Sequence, residues 1–473
     1  MAGNTEIITR EQLDLQREYG EKVRSLWKDL GRTPGVYVDT YGCQQNEADS
    51  ERMLGMLREM GYVRQEEPEG ADLVLINTCS VREHAEQRVF GNVGALTHTR
   101  RRHPGQKIFF TGCMAGEDRV VDRLRRSYPY VDCVFTSHAQ WRLPELLWGA
   151  LSGHGRQFVT PETGNIAEGL PVERLGSLKG WVSIMYGCNN FCTYCIVPHV
   201  RGRERSRKPE DVIREVREMI AAGYKDITLL GQNVNSYGRD LGQSIDFSDL
   251  LKELSGLEGD FLLRFMTSHP KDASQKLFDT MAASPKIARH LHLPFQAGND
   301  RVLRAMNRGY TAEKYLGLVA AARAAMPDLV LTSDVIVGFP GETEAEFEDT
   351  LRLVETVGFD ALFTFIYSPR AGTPAAEMPD PFSRQEKQVW FDRLLALQNR
   401  ISQERHSAYV GKRIRVLVDG TEGGALTART GGGRLVRLQG PSSLVGSFRD
   451  VTITGSTTWS LTGTIEEASE WQS

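Results

Sequence analysis

Three cysteines, Cys43, Cys79 and Cys113, each end a short apolar run: VYVDTYGC, DLVLINTC and KIFFTGC. Three more, Cys188, Cys192 and Cys195, stand together as C-x3-C-x2-C in MYGCNNFCTYCIVPH. This division limits the possible folds more than any other feature. Thiols far apart in sequence serve one site only if the fold gathers the ends of their runs. A parallel α/β sheet does this, because its ligands collect beyond the carboxyl ends of the strands.

The rest of the chain follows the same logic. A polar helical leader is expected over 1–33. From 34 to 150, β-branched runs alternate with helical stretches, which predicts a parallel α/β domain. A Gly-, Pro- and Glu-containing linker is expected over 151–173. From 174 to 408 the alternation resumes, with strand candidates WVSIMYG, DITLLGQ, FLLRFMT, HLHLP, VLTSDVIVGF and DALFTFIYS. Six strand–helix units predict a partial (β/α)6 barrel. The tight triad then follows the first strand, where the loops of such barrels carry chemistry. Helix starts are marked by Pro209 with Glu210 and Asp211, and by the capping box of Thr343 and Glu346. From 409 to 468 the period changes to two, with Gly-rich turns. A small five-stranded β-barrel is expected there, with Ile414, Val416 and Val418 facing its core.

The N-terminus has no apolar segment of the secretory kind, and no run of about 18 apolar residues spans a membrane. The expected compartment is the cytoplasm, where grouped cysteines read as metal ligands rather than disulfides. The seventh cysteine, Cys133, reads as a buried apolar residue. A net charge of −4 gives no global field for nucleic acid. Locally, RGRERSRK at 201–208 concentrates arginines against one acid. Residues 411–455 hold seven basic residues, among them Arg434 and Arg437, against three acidic ones. Either cluster alone fits a solvated surface as well as an RNA contact.

Two readings of the tight triad are open. Cys188, Cys192, Cys195 and His199 could make a Cys3His zinc site. Alternatively, three thiolates hold a four-iron cluster and leave one iron open for a cofactor or substrate. The asymmetric spacing after a barrel strand favours the cluster. The open iron could then chelate S-adenosylmethionine and generate a radical, chemistry that no side chain supplies.

The order of these motifs resembles the radical S-adenosylmethionine methylthiotransferase family over about residues 35–465. YGCQQNEADSE, NTCSVRE, GCMA, SIMYGCNNFCTYCIVPHVRGRERSR and LLGQNVNSYG are similar to the branch that acts on N6-isopentenyladenosine (dimethylallyladenosine) in tRNA. The terminal barrel is similar to a TRAM domain, a module associated with RNA. One segment departs: HLPFQAGND has Phe295, Ala297 and Asn299 where Val, Ser and Ser are more usual.

The resemblance implies an enzyme with two 4Fe-4S clusters and S-adenosylmethionine. Cys188, Cys192 and Cys195 would hold the radical-generating cluster, and Cys43, Cys79 and Cys113 an auxiliary cluster that hands over sulfur. A methylthio group would go to carbon 2 of the modified adenosine beside the anticodon, with S-adenosylmethionine as radical source and methyl donor. Tyr194, Gln232, Asn233, Asp334 and Gly338 are implied cofactor contacts. Beside a radical site that receives a nucleotide, Arg201 and Arg203 become expected phosphate contacts, together with Arg434 and Arg437 of the terminal barrel. The implied partners are the tRNA anticodon stem-loop, an electron donor such as a flavodoxin or ferredoxin, and a sulfur donor, with no membrane. Alternatives are a methylthiotransferase for threonylcarbamoyladenosine or a ribosomal-protein aspartate and, in another class, a non-catalytic iron–sulfur protein that binds RNA.

Overall fold

A computed structural model describes residues 7–80, 83–161, 164–242 and 244–466. The first part is a six-stranded parallel sheet. Its spatial order is Val63–Arg64, Gly35–Thr40, Leu73–Thr78, Lys107–Gly112, Cys133–Phe135 and Gln157–Val159. Leu73–Thr78 is buried throughout, as a central strand covered on both faces must be. Helix Gln44–Glu59 covers one face with Met53, Leu54 and Leu57. The other face packs against Val89, Phe90 and Val93. Cys133 is fully buried in the sheet, as its apolar surroundings predict. The edge strand Gln157–Val159 lies within the expected linker.

Helix Arg10–Asp29 begins with a capping box of Thr9 and Gln12. It inserts Val23 and Trp27 into the core of the first domain, and Trp27 Nε1 donates to Tyr62 Oη at 3.1 Å.

The central part contains the six expected parallel strands, arranged as two three-stranded halves. One half is Leu262–Phe265, Asp226–Leu230 and Lys179–Ser183; the other is His290–His292, Val330–Val337 and Ala361–Ile366. A parallel bridge between Leu263 and Ile287 joins them. The edge strands Lys179–Ser183 and Ala361–Ile366 do not pair, so the barrel is open on that side. A short hairpin, Met185–Tyr186 with Arg205–Ser206, flanks the loop of the tight triad.

Residues Arg413–Ile465 form a closed five-stranded barrel. Val416 and Val418 are fully buried in its core, with Ile414 packed against them. This barrel docks on the residues where the central strands begin. Lys179 bonds Asp419 at 2.5 Å, Arg264 donates to the Gly431 and Thr430 carbonyls at 2.6 and 3.0 Å, and Arg434 pairs with Asp360. The first domain docks near the opposite end, where Gln45 Nε2 donates to Ser183 Oγ at 2.8 Å. Among the described residues no helix is long and apolar enough to cross a membrane.

Candidate active site

The dispersed cysteines lie where a parallel sheet delivers them. Cys43 caps helix Gln44–Glu59 just beyond Gly35–Thr40, Cys79 follows Leu73–Thr78, and Cys113 follows Lys107–Gly112. These are three adjacent strands, so their carboxyl ends share one edge. Cys79 and Cys113 are buried and Cys43 is exposed. Two glycines permit the approach. Gly42 has φ +121°, and a Cβ there would lie 2.5 Å from Cys79 Cβ; Gly112 has φ +96°, and a Cβ there would lie 2.3 Å from the Thr78 carbonyl oxygen. Asn46, fully buried, ties the edge together by donating to the Tyr41 and Thr78 carbonyls at 2.9 and 2.7 Å.

The tight triad occupies the loop after the first barrel strand. Cys188 N donates to the Gly202 carbonyl at 3.1 Å, and Cys195 N to the Cys192 carbonyl at 2.9 Å. Gln232 Oε1, from the loop after the second strand, accepts from Gly187 N at 2.5 Å. Burial raises the Cys188 thiol to about 11 and the Cys195 thiol to about 12. Arg308, 4 % exposed, donates to Cys192 Sγ at 3.3 Å, to Tyr194 Oη at 3.4 Å and to the Pro294 carbonyl at 2.7 Å.

A cavity of about 890 Å³ is lined by residues of both the first domain and the barrel, with Cys195 among them. Tyr41, Gly42 and Ser80 line it from the first domain, beside Cys43 and Cys79. Tyr194, Cys195, Gln296 and Asp334 line it from the barrel. Two buried polar atoms in its walls, Ser80 Oγ and Gln296 Oε1, have no hydrogen-bond partner among the described residues. Gln296 also holds a left-handed backbone, φ +69°, rare for a residue other than glycine.

Known proteins agree with this architecture. The chain matches the radical SAM superfamily over residues 182–354, the uncharacterized protein family UPF0004 over 35–136 and the TRAM domain over 407–465. It is 47% identical to the tRNA-2-methylthio-N(6)-dimethylallyladenosine synthase of Thermoanaerobacter sp. (strain X514), across 97% of this chain and 98% of that one. The chain belongs to this synthase family. The synthase of Acetivibrio thermocellus is 45% identical over 97% of each chain. A radical S-adenosylmethionine methyltransferase from Kitasatospora setae shares the fold, with TM-score 0.54 at 16% identity, covering 73% of this chain and 75% of that one.

The cofactors of a radical SAM synthase are 4Fe-4S clusters and S-adenosylmethionine, and the donor set fits them. Thiols raised to 11 and 12 keep their protons at neutral pH unless a metal takes the proton's place. Among the described residues, no three His, Cys, Asp or Glu side chains converge on a single metal ion. Thiolates around a cubane bind separate irons and need no such convergence. The zinc alternative is not formed, since His199 is exposed while Cys188 and Cys192 are buried.

The expected cofactor contacts divide. Tyr194 and Asp334 line the cavity, and Asp334 lies 3.5 Å from His292 Nε2. Gln232 holds the triad loop. Asn233 is buried, donates to Asp272 at 2.8 Å and leaves Oδ1 without a partner among the described residues. Gly338, φ +69°, sits in a loop held by Glu342, which accepts from Gly338 N at 2.7 Å. Arg203 is exposed over the Phe191 ring, and Arg437 is solvent-facing beside Glu422.

The expectation that Arg201 and Arg434 meet RNA phosphates does not match their placement. Arg201 is 4 % exposed and bonded to Cys113; Arg434 is 7 % exposed, bonded to Asp360 and His406. The departures in HLPFQAGND serve packing. Phe295 is fully buried and stacked on Phe359 at 5.3 Å, Ala297 is buried, and Asn299 caps helix Asp300–Ala305. Arg308 and Gln296 escaped the sequence reading. Gln296 lies within the segment already singled out, but Arg308 is one arginine after a short helix and carries no local signal.

Proposed function

We propose that the chain transfers a methylthio group to carbon 2 of N6-dimethylallyladenosine beside the anticodon of tRNA. The observation that carries this reading is one cavity lined by Cys195 of the tight triad and by Gly42 and Ser80, the chain neighbours of Cys43 and Cys79. At about 890 Å³ it is near the upper end for ligand pockets, large enough for a nucleoside beside a cofactor. Relatives at 45% and 47% identity bear the dimethylallyladenosine name, which favours that substrate over the alternatives.

Cys188, Cys192 and Cys195 would hold one cluster, and Cys43, Cys79 and Cys113 the other. When bound, the clusters and S-adenosylmethionine supply a hydrogen-abstracting radical, the sulfur atom and the methyl group. Tyr194, Gln232, Asn233, Asp334 and Gly338 are proposed to bind or frame the cofactor. Ile336, Phe365 and Phe391 give the cavity an apolar wall suited to a dimethylallyl group. Arg88 and Arg384 on the same cavity, with Arg203 and Arg437 outside it, would meet phosphates, which position RNA while the base contacts give specificity. Drawing the adenosine from its stack costs a few kcal/mol. An external one-electron donor of flavodoxin or ferredoxin type and a sulfur donor complete the turnover.

Anaerobic incubation with isopentenylated tRNA, S-adenosylmethionine, reductant and sulfide, followed by nucleoside analysis, tests this reading. The 2-methylthio nucleoside is the expected product. A protein holding both clusters that leaves the nucleoside unchanged would exclude it.

A further inference from the structure

Arg201 ends helix Val197–Arg201, six residues after Cys195, yet its side chain serves the other triad. Nε donates to Cys113 Sγ at 3.2 Å. Nη2 donates to Asn46 Oδ1 and Asp49 Oδ2, both at 2.9 Å. The Arg201 side chain is 5% exposed and the Asp49 side chain 3%, so bulk water and salt screen them little. The contact is not an accident of one flexible side chain. Ile196 and Val200 of the same segment pack on Cys113 in a small apolar cluster. The loop that carries the radical triad therefore also clamps a sulfur of the auxiliary triad.

We infer that Arg201 is a positioning residue for the auxiliary centre, fixing Cys113 and stabilising negative charge on its sulfur. This rests on the reading of Cys43, Cys79 and Cys113 as cluster ligands. Hydrogen bonds to ligand sulfurs are among the levers that set the potential of an iron–sulfur centre. The reduced centre carries one more negative charge than the oxidised one. A guanidinium proton aimed at a ligand sulfur favours that reduced form. Asp49 makes the pair neutral overall, but it binds Nη2, whereas Nε faces Cys113. The sulfur thus meets the positive end of the pair. Lysine keeps the charge but lacks the planar fork that reaches Cys113, Asn46 and Asp49 together.

Parent, R201K and R201Q proteins are reconstituted anaerobically, iron is counted, and each cluster is followed by electron paramagnetic resonance through a redox titration. The parent is expected to hold two clusters; finding only one would sink the ligand assignment, independently of Arg201. In R201Q the reduced-to-oxidised ratio of the auxiliary centre is expected to fall at least tenfold at the parent midpoint, about 59 mV for one electron. The potential of the radical-triad centre is expected to stay at the parent value. R201K is expected to fall between. An auxiliary potential unchanged in R201Q overturns the inference. If R201Q loses its auxiliary iron, R201K is judged by the same criterion. Loss of that iron from both variants also overturns it, because Arg201 would then retain the metal rather than tune it.

Discussion

Arg434→Ala separates two roles that the sequence alone could not tell apart. In the structure the guanidinium pairs with Asp360, lies 3.0 Å from His406 Nε2 and covers the Tyr409 ring at 4.8 Å. Asp360 in turn accepts from Leu331 N at 2.7 Å. The side chains of Arg434 and Asp360 are 5% and 8% exposed. Removing the arginine leaves the Asp360 charge buried with one backbone donor. Breaking a buried pair in this way costs about 3–5 kcal/mol. At roughly 2–4 °C per kcal/mol for a domain of this size, the melting temperature should fall by on the order of 10 °C. R434A with Asp360→Asn should recover part of the loss, because the stranded charge is gone. Thermal and urea unfolding of the anaerobic protein measure both. A phosphate contact behaves differently: stability stays within about 0.5 kcal/mol of the parent and tRNA affinity falls. That second pattern would refute the buried-anchor account.

Four further outcomes follow from the same geometry. R437A should weaken tRNA binding evenly across sequences and reduce the salt slope by about one, as loss of one phosphate contact does; an unchanged slope removes Arg437 from the interface. Burial raises the Glu342 carboxyl from 4.5 to about 7 against the two backbone donors that favour its charge. Its folded value exceeds its unfolded one, so the stability it adds is full below pH 4.5 and is lost as pH rises to about 7, at most about 3 kcal/mol; E342Q should flatten that part of the urea-unfolding profile, and parallel profiles would contradict it. G112A places a methyl 2.3 Å from the Thr78 oxygen, so iron should fall towards that of the Cys43, Cys79 and Cys113 triple variant, and full iron content would disprove the tight approach. Iron loading at Cys188 and Cys195 should release protons and improve between pH 6.5 and pH 8.5, roughly in step with thiol deprotonation; pH-independent loading would contradict the raised thiol values.

Much of the architecture was legible because it depends on local pattern. Alternating β-branched runs identify the strands, and the parallel rule places Cys43, Cys79 and Cys113 at one edge. Burial of arginines was not legible. A basic run such as RGRERSRK looks the same whether its members meet water, phosphate or carboxylate. The deciding partners lie 88 residues away for Arg201 and Cys113, and 74 for Arg434 and Asp360. Helix Arg10–Asp29 read as a polar leader because only Val23, Trp27 and Gln16 of its residues are buried. Its function in the core depends on Tyr62 and Glu145, which no local pattern announces.

The terminal barrel attaches beneath the floor of the central one, whereas the cysteine loops crown its rim. The strand Val330–Val337 spans that height with eight residues, about 26 Å at 3.3 Å per residue. A nucleic acid touching both ends must therefore bridge a fixed gauge. A clipped hairpin too short to bridge it would meet the catalytic mouth alone, and R437A and parent would bind it equally well. On this geometry, a substrate that touches Arg437 and the cysteine loops together is selected by length as well as by base.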